Sequence, residues 1–136
     1  HFFVEEIHFK LPSPQKTSSW VKKAIASENK ELGELNFIFC SDEYLHRINH
    51  QFLNHNTFTD IVTFDNSEQP ELIEGDIFIS IDRVKENSVA FQSGFAKELN
   101  RVIIHGVLHL IGYSDKSVSQ RSEMRRKEDA YLSLRK

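Results

Sequence analysis

Residues 98–111, ELNRVIIHGVLHLI, constrain this chain more than any other stretch. They are apolar nearly all round, and such a helix is stable only when neighbours cover most of its surface. The sequence therefore predicts a fold built around one central helix. Two histidines sit in it, His105 and His109. A spacing of four puts both imidazoles on one helix face, one turn apart. Gly112 follows, and glycine takes the left-handed conformation that ends a helix. The chain can then fold back and carry Asp115 to the same point. The pattern HxxxHxxGxxD thus gathers two imidazoles and a carboxylate. Three protein ligands with a fourth position left open distinguish catalytic zinc sites from structural ones, so the spacing predicts a metal enzyme.

The competing reading is that both histidines are ordinary hydrogen-bonded core residues. A pair at i and i+4 followed by a glycine and a carboxylate favours the ligand reading. The spacing overlaps that of zinc peptidases of the H-E-x-x-H type, whose Glu is the general base. Here that position is Gly106, which argues against proteolysis. A 2-His-1-carboxylate iron site uses the same ligand types, but nothing else in the chain points to oxygen chemistry.

Around the central helix the pattern alternates. Residues 2–9 read as a strand, closed by Pro12 and Pro14. Trp20, Val21, Ala24 and Ile25 predict a helix over about 16–32, ending near Gly33. Residues 35–40 suit a buried strand. Ser41 is a good N-cap, with Asp42 and Glu43 in the first turn of a helix that carries Leu45, Ile48 and Phe52 on one face. Residues 60–65 and 75–81 are β-branched and aromatic, hence strands, with a polar loop over 66–74 between them. Asp82 can cap a helix over 83–92, Gly94 breaks it, and 118–134 form a last, charged helix. One close strand pair among alternating strands and helices predicts an α+β (mixed α/β) fold, a sheet covered by helices.

At 136 residues the chain is most simply one domain, 1–136. Its apolar content of 39% and eleven Phe supply a core without disulfide staples. Cys40 reads as a buried, reduced thiol, which fits a reducing cytoplasm. No apolar run reaches the length of a membrane span and no signal-peptide pattern is present, so the expectation is a cytoplasmic protein with no membrane partner. The net charge of −3 is uneven: residues 37–115 carry five Lys/Arg against twelve Asp/Glu, and residues 116–136 carry seven against three. A basic tail beside an acidic middle can attract a polyanion locally, although a solvated helix face explains the charge run equally well. The pI near 6.2 argues against strong non-specific nucleic-acid binding.

The motif at 105–115, HGVLHLIGYSD, resembles the signature H-G-x-L-H-L-x-G-Y-D-H of the YbeY ribosomal RNA maturation endoribonucleases. Two further blocks match in order and spacing. Residues 49–53 (NHQFL) and 58–64 (FTDIVTF) resemble the family's N-x-x-Y-R and P-T-D-V-L-S-F, and residues 75–80 (GDIFIS) resemble G-D-I-x-I-S. The resemblance implies a small mixed four-stranded sheet flanked by helices, with a cleft holding the metal. It implies a zinc-dependent, single-strand-specific endoribonuclease with one ion per chain. Such proteins mature the 3′ end of 16S ribosomal RNA and act in ribosome quality control, so single-stranded and ribosomal RNA, the pre-ribosome and ribosomal proteins are the implied partners.

Two positions depart from the family. Its third ligand, normally His, is Asp115. Aspartate can ligate zinc, but it makes the site harder and opens it to other divalent ions. A one-residue shift would instead equate Asp115 with the Asp before that His; the ligand reading is preferred because it completes the triad. The second departure is Leu53, where the family has an Arg expected to meet RNA phosphate. Arg47, His50, His55 and Arg101 are candidates to compensate. Asp60 and Asp76 match family positions; each either orients the metal group or bonds its local backbone. Tyr113 and Ser114 shape the loop to Asp115.

The first functional expectation is metal-activated cleavage of single-stranded RNA, by water or by the ribose 2′-OH, with His105 and His109 as catalytic ligands. The second is a zincin-like peptidase, disfavoured by Gly106. The third is a non-catalytic ribosome-assembly factor that keeps a structural metal, which Leu53 makes a serious rival.

Overall fold

The computed structural model describes residues 1–53 and 59–135. Its elements run β1 (Phe2–Glu5), α1 (Pro14–Ser27), β2 (Glu31–Cys40), α2 (Asp42–Leu53), β3 (Ile61–Asp65), β4 (Leu72–Ser80), α3 (Ile81–Ala90), α4 (Phe95–Ile111) and α5 (Val118–Ser133). The four strands form one mixed sheet in the order β1-β2-β4-β3. β1 and β4 each pair parallel with β2, while β3 pairs antiparallel with β4. This is the α+β architecture that the sequence predicts.

Strand alternation decides which helix covers which face. Phe37 and Phe39 of β2 and Ile77 and Ile79 of β4 point to one side, where they meet Trp20 and Ile25 of α1 and the apolar residues of α4. Cys40, Val62, Phe64 and Phe78 point to the other side, where Leu45 and Ile48 of α2 cover them. α4 is the central helix: Val102, Ile103, Ile104, Val107 and Leu108 are all buried. α3 and α5 pack against it. Among the described residues no helix is long and apolar enough to cross a membrane.

Several boundaries differ from the sequence expectation, each for a local reason. β1 stops at Glu5 because Glu6 takes a positive φ of 55°. α1 ends at Ser27 rather than near Leu32, because Asn29 takes φ 61° and Glu31 already donates its N–H to the Glu71 carbonyl at 2.8 Å. Leu32 and Gly33 thus belong to β2, and β4 begins at Leu72, shortening the expected loop. The cap of α3 is Ser80, whose hydroxyl accepts from Arg83 N, and not Asp82, whose carboxylate accepts from Asp42 N. Ser41 does cap α2, accepting from Tyr44 N at 3.1 Å.

Candidate metal centre

α4 places His105 and His109 one turn apart, with ring centroids 4.5 Å apart. The helix ends at Gly112, whose φ of 126° is open to glycine and strained for other residues. Tyr113 N–H then bonds back to the Leu108 carbonyl at 3.0 Å, closing the last turn and reversing the chain. This reversal brings Asp115 over the histidines. The two Nε2 atoms lie 3.0 Å apart, and Asp115 Oδ2 lies 3.5 Å from each. Ligands about 2.0–2.2 Å from a tetrahedral ion stand roughly 3.3–3.6 Å from one another. Three donor atoms already sit at nearly that spacing, so the residues present fit a divalent ion. His105, His109 and Asp115 form the group able to hold a metal among the described residues.

The tautomer of His105 is fixed from behind. Its Nδ1 lies 2.6 Å from Glu128 Oε2, and a carboxylate only accepts, so Nδ1 carries the proton and Nε2 presents a lone pair to the group. Glu128 is buried, and its other oxygen accepts from Arg101 Nη1 at 2.8 Å. Arg101 Nη2 reaches Asp129 at 2.7 Å. Burial pushes the His105 pKa down, but the hydrogen bond and charge of Glu128 outweigh it and leave the value raised. His109 is lowered, by burial first and then by the positive charge on His105.

The remaining sequence candidates divide. Asp60 lies in the same cleft as His105 and Asp115, and burial pushes its carboxyl up although the His105 charge opposes this. Arg101 lines that cleft, but its guanidinium is engaged by Glu128 and Asp129. The structure does not bring Asp76 to the group. Its neighbour Ile77 faces α4, so strand alternation turns Asp76 to the opposite face, where it accepts from Asn36 at 2.9 Å and Asn66 at 3.3 Å. Arg47 and His50 lie on α2, across the sheet from the histidines; Arg47 pairs with Glu6. The side chain of Leu53 and residue His55 lie outside the described residues.

Two contributors escaped the sequence reading. Glu128 shares a stripe with the buried Met124 and Tyr131, an i, i+4, i+7 pattern that marks it as a carboxylate aimed inward. Glu28, just past the end of α1, accepts from Tyr113 Oη at 2.6 Å and from Lys127 Nζ at 3.0 Å, and Tyr131 Oη bonds it too. It thereby ties down the loop that carries Asp115.

Burial raises the Glu28 pKa, but hydrogen bonds from Tyr113, Tyr131 and Lys127 together bring it below its ordinary value of 4.5. A folded pKa below the unfolded one adds stability that is present above pH 4.5 and lost as pH falls through the lower folded value. Glu28→Gln should therefore be less stable than wild type at neutral pH, with the gap closing in acid. Thermal melts of both proteins between pH 7 and pH 3 check this, and parallel curves would remove Glu28 from the account.

The family model described as Endoribonuclease YbeY matches residues 4–135. Two proteins named Endoribonuclease YbeY are among the similar relatives. That of Amoebophilus asiaticus is 48% identical over 97% of this chain and 90% of its own length. That of Cytophaga hutchinsonii is 51% identical over 99% and 94%. The solution structure of TM1509 from Thermotoga maritima superposes with a TM-score of 0.67 at 26% identity, covering 98% of this chain and 87% of that one.

Proposed function

The chain belongs to the YbeY endoribonuclease family, and we propose that it is a metal-dependent, single-strand-specific endoribonuclease acting in maturation of the 3′ end of 16S ribosomal RNA and in ribosome quality control. The observation that carries the reading is the convergence of two imidazole nitrogens and one carboxylate oxygen beside a cleft of about 650 Å³. Zinc is the proposed ion, one per chain, because four-coordinate N/O sites suit it; the carboxylate keeps other divalent ions in competition. The proposed setting is the cytoplasm, with the pre-ribosome and ribosomal proteins as partners and the chain acting as one domain.

A bound divalent ion supplies Lewis-acid polarisation of a phosphoryl oxygen and lowers the pKa of water. The chain's residues prepare for it. Glu128 keeps the His105 proton on Nδ1, so that both Nε2 atoms and Asp115 Oδ2 face one point. Asp60, whose carboxyl burial pushes above its ordinary value, lines the same cleft and is the carboxylate placed to exchange a proton there. Gly106 supports a nuclease over a peptidase, because the position of the peptidase general base faces the sheet.

The test is metal content and RNA cleavage measured on the same preparations of wild type, His105→Ala and Asp115→Ala. Wild type should hold about one zinc per chain and cut single-stranded RNA but not duplex. Both variants should stay folded and lose both properties. The product ends report the nucleophile: a 2′,3′-cyclic phosphate marks attack by the 2′-OH. Metal without cleavage under any divalent ion would replace the nuclease with the assembly-factor reading, and wild type without metal would end the site argument.

A further inference from the structure

Two cavities meet beside the metal group. The first, about 650 Å³, opens on His105 and Asp115. The second, about 360 Å³, reaches Lys97 and shares Phe91, Glu98, Arg101 and Arg125 with the first. Together they make one groove with a sorted lining. The carboxylates form its floor, where Glu98 and Glu128 are buried. Its rim is apolar and cationic. Phe91, at the end of α3, is 68% exposed, and Val118, at the start of α5, is 76% exposed. Arg121, Arg125 and Lys97 are exposed around them.

The rim cations are not locked into side-chain ion pairs, although Arg125 and Lys97 act on Asp129, and Arg125 on Glu98, at longer range. Arg125 and Lys97 make no hydrogen bond or ion pair among the described residues, and the contacts of Arg121 are to the main-chain oxygens of Asp115 and Lys116, at 3.5 and 3.3 Å. By contrast Arg101 and Arg126, on the same two helices, are held by carboxylates. A phenyl ring left in water beside exposed cations that no carboxylate clamps suits a ligand with flat apolar faces and regularly spaced negative charge. Single-stranded RNA has both, whereas a duplex hides its base faces. A protein partner would cover the apolar residues equally well but gives no reason for the cations.

We infer that this groove is a single-stranded RNA subsite, in which an unpaired base stacks on Phe91 while Arg121, Arg125 and Lys97 take the neighbouring phosphates. It rests on the nuclease reading and says where that substrate lies. Phe91 is a specificity residue in this account: it selects unpaired over paired RNA. The arginines and Lys97 set affinity and its dependence on salt, because each phosphate contact releases a counterion.

The test is fluorescence anisotropy with a labelled ten-nucleotide single strand and a blunt RNA duplex, using the full chain as isolated and after zinc loading, with cleavage followed in parallel. Phe91→Ala should weaken single-strand binding about 5- to 150-fold, with Phe91→Trp retaining it. Duplex binding should not change. Arg125→Ala and Lys97→Ala should each reduce the slope of log K against log salt by about 0.7. Arg126→Ala, whose side chain is held by Glu123, should behave as wild type. If wild type cuts RNA while all these variants bind and cut as it does, the subsite is wrong and the nuclease reading stands. If wild type neither binds nor cuts RNA, both fall. If Phe91→Ala loses association with ribosomal subunits but keeps oligonucleotide binding, the rim is a protein-docking face and the proposal is overturned.

Discussion

Gly106→Glu, the change that would write the peptidase motif into this chain, should prevent folding. A Cβ at Gly106 would stand 2.8 Å from Ile61 Cδ1 and 2.9 Å from Ile77 Cγ2. The glycine is thus what lets α4 lie close on the sheet. It also shows that this position of the motif faces β3 and β4, while His105 looks into the cleft with His109 Nε2 3.0 Å from its own Nε2. A glutamate here needs room that the strands occupy and sets a carboxylate against the buried Ile77 and the half-buried Ile61. Overpacking alone costs about 1–3 kcal/mol, and burying an unpaired charge adds several kcal/mol more. The sum rivals the whole stability of a typical domain, about 5–15 kcal/mol. Gly106→Ala separates the two effects. It meets the same contacts but gains about 1 kcal/mol of helix propensity, so a net loss of about 1 kcal/mol is expected. Urea unfolding followed by circular dichroism checks both variants. A cooperative transition for Gly106→Glu near that of wild type would show that α4 can lift from the sheet at little cost.

The same helix shows how far the sequence can be read. Its apolar surface, the four-residue histidine spacing and the glycine three residues on are all local patterns. They gave a central helix, a chain reversal and the approach of Asp115, and the structure contains each. Local pattern also places β3 and β4 to within a few residues. What it does not carry is pairing. Leu32 and Gly33 read as the tail of a helix until Glu31 is seen bonded to Glu71 and Leu32 set opposite Ile73. Asp76 looked like Asp60, a carboxylate in a matching motif. The parity of its strand position sends it to the other face, and parity is fixed only once the register with β2 is known. Glu128 and Glu28 were missed for a related reason. They lie 23 and 85 residues from the groups they hold, His105 and Tyr113, and no spacing rule connects such distances.

Glu128→Gln should lose metal affinity while keeping most of its stability, and this separates a positioning role from a structural one. In wild type one Glu128 oxygen accepts from Arg101 and the other from His105 Nδ1. Glutamine has one acceptor. The guanidinium only donates, so Arg101 claims the amide oxygen and turns the amide NH2 toward His105. Nδ1 must then accept, the imidazole proton moves to Nε2, and the atom aimed at His109 and Asp115 no longer offers a lone pair. Loss of such an outer partner weakens metal binding about 10- to 100-fold, and a forced change of tautomer should place this variant at the upper end. Glu128→Ala fails differently. It leaves Arg101, whose side chain is only 15% exposed, with the more exposed Asp129 as partner. Breaking a buried pair by removing one member costs about 3–5 kcal/mol, and the surviving contact to Asp129 argues for the lower figure. His105 in Glu128→Ala has no group behind it to choose its tautomer, so affinity should fall less than in Glu128→Gln although the fold suffers more. Competitive chelator titrations with zinc, paired with urea unfolding of the metal-free proteins, give both axes. The decisive outcome is the order of the two variants. If the alanine variant is worse on both axes, Glu128 acts as a structural ion-pair partner and the tautomer argument is wrong.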